Sequence, residues 1–115
     1  MEITRELVLT QPPEEVWEAL TDPERLAEWF ANEVELDPRP GGRGVFRWDN
    51  GETRTATVEE VDPLHRFGFR WEDEGEGEVE FELEEVDEGT KVTVRETTGE
   101  FSAAIELRSL FLVTA

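Results

Sequence analysis

From residue 33 to 98 apolar and polar side chains alternate with a period of two, and no other feature of the chain constrains its fold as much. Alternation sends successive side chains to opposite faces, so the segment is expected to build an antiparallel sheet with one wet face. Val34 and Leu36 mark a short strand, and Pro38 to Gly44 a loop. Phe46 and Trp48 share one face of the strand Val45 to Asp49. Ala56 and Val58 occupy the even face of Thr53 to Val61. Phe67, Phe69 and Trp71 follow on the odd face, with Arg66, Arg70 and Glu72 opposite. Val79, Phe81 and Leu83 alternate with Glu78, Glu80, Glu82 and Glu84; Val92 and Val94 alternate with Lys91, Thr93 and Arg95.

Directly opposed residues share a face, so parity tests each loop. A two-residue Asn50-Gly51 turn opposes Trp48 to Thr53 and turns Ala56 and Val58 outward. A three-residue loop, Asp49-Asn50-Gly51 with Gly51 as a left-handed bulge, opposes Phe46 to Arg54 and Gly44 to Ala56, and is the loop expected here. Around Asp87-Glu88-Gly89-Thr90 the test pairs Leu83 with Val94 and Phe81 with Glu96. Across the acidic loop Glu72 to Glu78 it opposes Trp71 to Val79.

Glu2 to Thr10, with Ile3, Leu7 and Leu9 on one parity, reads as a first strand. Thr10-Gln11-Pro12-Pro13-Glu14-Glu15 supplies a capping residue, prolines for a first turn, and acids for the positive end of a helix dipole. Val16, Trp17 and Leu20 form its buried stripe. Thr21-Asp22-Pro23-Glu24 restarts a second helix carrying Leu26, Trp29 and Phe30, because Pro23 lacks the amide hydrogen a continuous helix uses. After Gly99 the period returns to helical, with Phe101, Ala104, Ile105, Arg108 and Leu112 on one face. Neither repeat nor linker interrupts residues 1–115, which read as one domain.

Charge removes several functions. Lys and Arg number 11 against 30 Asp and Glu, a net −19, and no basic stripe exists to displace counterions from nucleic acid or to dock on an anionic membrane. Without cysteine there is no thiolate nucleophile, disulfide framework or Cys-ligated zinc. No apolar run approaches ~20 residues and no signal pattern opens the chain, so the cytoplasm is the expected compartment. His65, the one histidine, falls in a strand-to-strand loop and reads as solvated; no metal or other cofactor is expected. The row Glu78, Glu80, Glu82 and Glu84 is spaced ~6.8 Å per step, too wide for tight cation coordination. It is expected to pair with Arg66, Arg70, Lys91 and Arg95 across the wet face.

The order strand, two short helices, six strands and a final helix resembles the START-like (SRPBCC) superfamily with its helix-grip fold. Within it the chain is similar to the heat-shock protein 90 ATPase activator homologue family. The carrying residues are Pro12-Pro13-Glu14-Glu15-Val16-Trp17-Glu18-Ala19-Leu20-Thr21-Asp22-Pro23, Leu26-Ala27-Glu28-Trp29-Phe30, Arg39-Pro40-Gly41-Gly42, Val61-Asp62-Pro63 with Phe69 and Trp71, and Val92-Thr93-Val94-Arg95-Glu96-Thr97. The resemblance implies an α+β fold in which a curved antiparallel sheet of about seven strands wraps the C-terminal helix around an apolar cavity. Relatives carry a longer segment after the last strand, which bears on how much cavity is left here. The superfamily includes lipid carriers, hormone-binding proteins, polyketide cyclases and co-chaperone domains, so fold alone selects no function.

The expected pocket is floored by Phe46, Phe69 and Phe81 and rimmed by Trp48, Arg54, Trp71 and Glu96, with Trp29 and Ile105 contributed by helices. Arg54 and Glu96 stand three strand spacings apart, roughly 14 Å, a gap suited to a small ligand. The same aromatics also serve as plain core, needed by the sheet whether or not anything binds. Glu96 is the sharpest residue: a carboxylate on an apolar face needs a partner or water, and desolvation raises its pKa toward general-base use. The leading expectation is a non-catalytic domain that binds a small apolar or amphipathic molecule. A co-chaperone-like protein contact is the alternative implied by the resemblance, and a polyketide-cyclase-like enzyme the third. Leu110-Phe111-Leu112-Val113 makes the final helix apolar on every side, so either the first helices or a second copy in a homodimer must cover it.

Overall fold

The computed structural model describes residues 2–72 and 77–97, with the backbone alone at Ile3. The expected C-terminal helix, Ile105 included, lies outside the described residues. In chain order the elements are β1 (Ile3–Leu9), α1 (Pro13–Thr21), α2 (Pro23–Trp29), β2 (Glu33–Leu36), β3 (Arg43–Arg47), β4 (Thr53–Asp62), β5 (Arg66–Trp71), β6 (Gly77–Val86) and β7 (Gly89–Glu96). The strands form an antiparallel sheet ordered β1-β7-β6-β5-β4-β3-β2. Consecutive strands from β2 to β7 are neighbours, and β1 closes on β7 through Leu7 opposite Val92.

The β3–β4 hairpin has the expected register, Phe46 opposite Arg54 and Gly44 opposite Ala56. Gly51 takes φ +92, the left-handed position that the bulged loop requires. Two other hairpins are displaced by two residues from the parity expectation. Trp71 faces Gly77 rather than Val79. Phe81 faces Val94 rather than Glu96, and Leu83 faces Val92 rather than Val94. A shift of two keeps every side chain on its face, so hydrophobic pattern cannot choose between the registers; turn geometry does. Gly89 decides it for β6–β7. It pairs with Val86 at φ +142, and a Cβ built there would overlap the Leu9 carbonyl oxygen and crowd Thr10. The β1–α1 connection therefore passes directly over Gly89, and the next residue, buried Thr90, ties that connection down by donating its hydroxyl to the Gln11 carbonyl at 2.8 Å.

A bulge between Val58 and Glu60 breaks the period of β4. Beyond it the inward parity switches, so Val61 joins Val58 against the core. The helix starts also differ from each other. Asp22 caps α2, its carboxylate accepting from the Glu24 amide at 2.9 Å. At α1 the N-cap is Pro12, not Thr10, and no side chain caps it; the Pro12 carbonyl accepts from both Glu15 and Val16.

The wet face carries a ladder of ion pairs. Arg66 lies 3.1 Å from Glu82 and 3.8 Å from Glu60, and Arg95 lies 2.8 Å from Glu80 and 3.3 Å from Glu82. The Glu82 and Glu60 charges hold Arg66 more firmly protonated than usual. Arg70 and Lys91 reach Glu59 and Glu6 rather than the β6 row. In the β2–β3 loop Arg39 makes two hydrogen bonds to Asp37, at 2.8 and 2.9 Å, which hold that carboxyl below its ordinary range.

Two predictions follow from these contacts. Gly89→Ala is expected to lower unfolding free energy by ~2 kcal/mol or more, because overlap adds to strain. Gly51→Ala meets open space and is expected to cost only ~1 kcal/mol of left-handed strain; equal losses on chemical denaturation would refute the assignment. Because 30 acids face 11 bases, most carboxylates lack a cation of their own. The melting temperature is accordingly expected to climb between about 0.05 and about 2 M KCl as screening relieves repulsion. A flat melting temperature across that range contradicts the prediction.

Candidate ligand-binding site

The concave face of the sheet is apolar because its inward row is aromatic. Phe46, Phe67, Phe69, Trp71 and Phe81 are all buried there, and α1 and α2 cover part of them with Val16, Leu20, Leu26 and Trp29. The rings form a continuous cluster. Phe69 meets Trp71 edge-on at 5.0 Å and stacks on Phe46 at 6.0 Å; Phe46 meets Trp71 edge-on at 5.5 Å. Each such contact adds ~0.5–1.5 kcal/mol beyond area burial.

Phe30 stands at the centre of this cluster, although its spacing in α2 suggested only helix packing. It is the C-cap of α2, and its ring lies 5.2 Å from Trp29, 5.3 Å from Phe46, 5.8 Å from Trp48 and 6.4 Å from Trp71. Its sequence neighbourhood held a usable signal: Leu26, Trp29 and Phe30 follow the i, i+3, i+4 rule for one helix face. Two indoles fix the backbone around it. Trp48 Nε1 donates to the Phe30 carbonyl at 2.8 Å, and Trp29 Nε1 donates to the Ala19 carbonyl at 2.7 Å.

The expected rim residues lie where the register puts them. Trp48 follows β3 and is half-buried. Arg54 enters β4 with only 8 % of its surface exposed, its guanidinium carbon 4.1 Å from the Trp71 ring centroid. A cation over an indole face is attracted by the ring quadrupole, more so when desolvated. Glu96, 5 % exposed, ends β7 opposite Val79 on one side and Ile3 on the other. Neither Arg54 nor Glu96 is without a partner in the fold. Trp29, Phe46, Trp48, Arg54, Phe69 and Trp71 thus come together at one end of the sheet, with Phe81 beside Phe67 on the neighbouring strand. Glu96 lies three strands from Arg54 across the same face.

Three spaces adjoin the cluster. Under the helices, Leu20, Leu26, Trp29 and Phe30 line a space of about 10 Å³ together with Phe46, Phe67, Phe69 and Phe81. At the end of α2 a cleft of about 320 Å³ opens beside Glu28, Trp29, Phe30, Asn32 and Trp48. At the rim a depression of about 560 Å³ is bounded by Arg70, Trp71, Glu72, Gly77, Glu78 and Thr97. His65 sits far from this chemistry in the exposed β4–β5 turn, its Nδ1 3.8 Å from Asp62. Among the described residues no group of three or more His, Cys, Asp or Glu is placed to hold a metal ion, and no helix is long and apolar enough to cross a membrane.

The model of the family described as "Activator of Hsp90 ATPase homolog 1-like protein" matches residues 10–109. The chain belongs to that family. Solved structures share its fold. The protein NE0264 from Nitrosomonas europaea has a TM-score of 0.80 at 19 % identity, over 100 % of this chain and 96 % of its own. The Aha1 dimer from Colwellia psychrerythraea has a TM-score of 0.78 at 20 % identity, over 99 % and 92 %. CalU16 from Micromonospora echinospora has a TM-score of 0.73 at 28 % identity, over 96 % and 74 %. No functionally curated protein matches the chain. These likenesses bear out the α+β helix-grip architecture read from the sequence of this Hsp90-activator-like domain.

The two indole hydrogen bonds give a stability test. Trp29→Phe strands a buried Ala19 carbonyl and is expected to cost ~1–3 kcal/mol, whereas Trp48→Phe leaves its acceptor beside the open cleft, where water replaces the indole, and is expected to cost under ~1 kcal/mol. Denaturant unfolding of the two variants checks the order.

Proposed function

We propose that this Hsp90-activator-like domain binds a small amphipathic molecule at the rim of its concave face, without transforming it. One observation carries the reading: a buried arginine stacked on Trp71 shares a largely apolar, aromatic-rich surface with a buried glutamate, at the end where the sheet opens beside Trp71 and Thr97. A sheet that needed only a core is better served by apolar residues at both positions, since buried charges cost desolvation. A guanidinium offers five N–H donors in one plane, enough to keep its partner in the fold and still meet a ligand oxygen. The ligand's apolar body would lie against Trp48, Phe69 and Trp71, and its polar group between Arg54 and Glu96. The chemistry needs no nucleophile, and Glu96 acts in it as a hydrogen-bond acceptor rather than a base.

The second reading is a co-chaperone-like protein contact, favoured by the family to which the chain belongs. A homodimer through the segment 101–115 is part of the leading proposal; the apolar run Leu110–Val113 supports it, and the Colwellia relative is a dimer. Native mass spectrometry of the protein purified from its own host tests both. The expected spectrum shows a dimer carrying an additional small mass that is lost in Arg54→Met. A bare protein mass in every charge state overturns the ligand reading and leaves the protein contact.

A further inference from the structure

The surface cleft and the small apolar space under the helices have Trp29 and Phe30 in common. These two residues therefore stand between about 320 Å³ of open space and the aromatic core. They are not equally able to move. Trp29 is bound through its indole to a buried carbonyl of α1 at 2.7 Å, so turning it breaks a hydrogen bond with no solvent replacement. A phenyl ring has no such group and is held by packing. The Phe30 backbone is itself anchored, by its amide to the Leu26 carbonyl and by its carbonyl to the Trp48 indole, each at 2.8 Å. Rotation about χ1 thus moves the ring while α2 stays in place, and the neighbouring Ala31 has no side chain large enough to fill the vacated volume.

We propose that Phe30 is the gate between the cleft and the core, and that it admits a flat apolar group about the size of one aromatic ring. The size follows from the space released. A turned Phe30 vacates its own volume next to a space of about 10 Å³, and dry apolar cavities of ~150 Å³ accept benzene. The walls of the opened space are aromatic on the sheet side, through Phe46 and Phe69, which favours a flat ring over a branched aliphatic chain. This rests on the ligand-binding reading and adds the route and the class of group that enters.

The test compares two truncations that delete the same atoms. Phe30 borders both spaces, whereas Phe67 borders the one under the helices and not the cleft. Nitrobenzene, which quenches tryptophan fluorescence, serves as the probe in stopped-flow mixing with Phe30→Ala and Phe67→Ala. The expected result is association at least ~10-fold faster for Phe30→Ala, since its cavity opens to the surface. Equal association rates overturn the gate. If Phe30→Ala does not fold, Phe30→Leu takes its place against Phe67→Leu, with the same order expected and the same overturning result. The two proposals fail separately. A fast Phe30→Ala together with a ligand-free wild-type protein keeps the gate and removes the ligand reading, and a retained ligand with equal rates does the reverse.

Discussion

An apolar concave face exists only while every strand keeps its alternation in phase with its neighbours, and β4 is where that phase is hardest to hold. It is ten residues long and pairs with β3 over Thr53–Thr57 and with β5 over Ala56–Asp62. Ala56 and Val58 face the core on even numbers. The bulge before Glu60 then resets the parity, so that Val61 still points inward opposite Phe67. Strict alternation through this point, with no bulge, would present Glu60 and Asp62 to the rings of β5. The bulge also adds local twist and bends the strand, which suits a sheet that curves over α1 and α2.

The hairpin at Gly51 was legible because both candidate loops made opposite demands: one put Ala56 and Val58 in water and the other buried them. The β5–β6 and β6–β7 registers were not, because the competing pairings differ by two residues and leave every face unchanged. What separates them is Gly89, whose missing side chain accommodates the Leu9 carbonyl, a contact between segments about eighty residues apart. Local pattern carries no trace of such an approach. The aromatic site divides along the same line. Phe46, Phe69, Trp71 and Arg54 followed from strand parity, while Phe30 entered the site only through the angle at which α2 meets the sheet. Its helical spacing announced burial, and nothing in the spacing announced which rings it would meet.

The charges of the wet face are arranged so that repulsion within it is limited. On the wet face Arg66 and Arg95 each stand between two glutamates, turning a row of like charges into an alternating ladder. The individual exposed pairs contribute little; their effect is to prevent Glu80 and Glu82 from opposing each other's neighbours unpaired. Much of the surplus falls outside this ladder, in the helix starts at Glu14 and Glu15 and in turn residues such as Asp87 and Glu88, where solvent screens it.

The concave face has the opposite economy, with few charges in a medium that does not screen them. There Arg54 keeps its guanidinium against Trp71, and Glu96 stays three strands away. In a low-dielectric environment two opposite charges attract over distances at which water would silence them. On the proposed reading, a molecule that brings a polar group between them gains from both, while its apolar part lies against the half-buried indole of Trp48. Arg54 and Glu96 thus give this face a polar character that its aromatic rings alone do not.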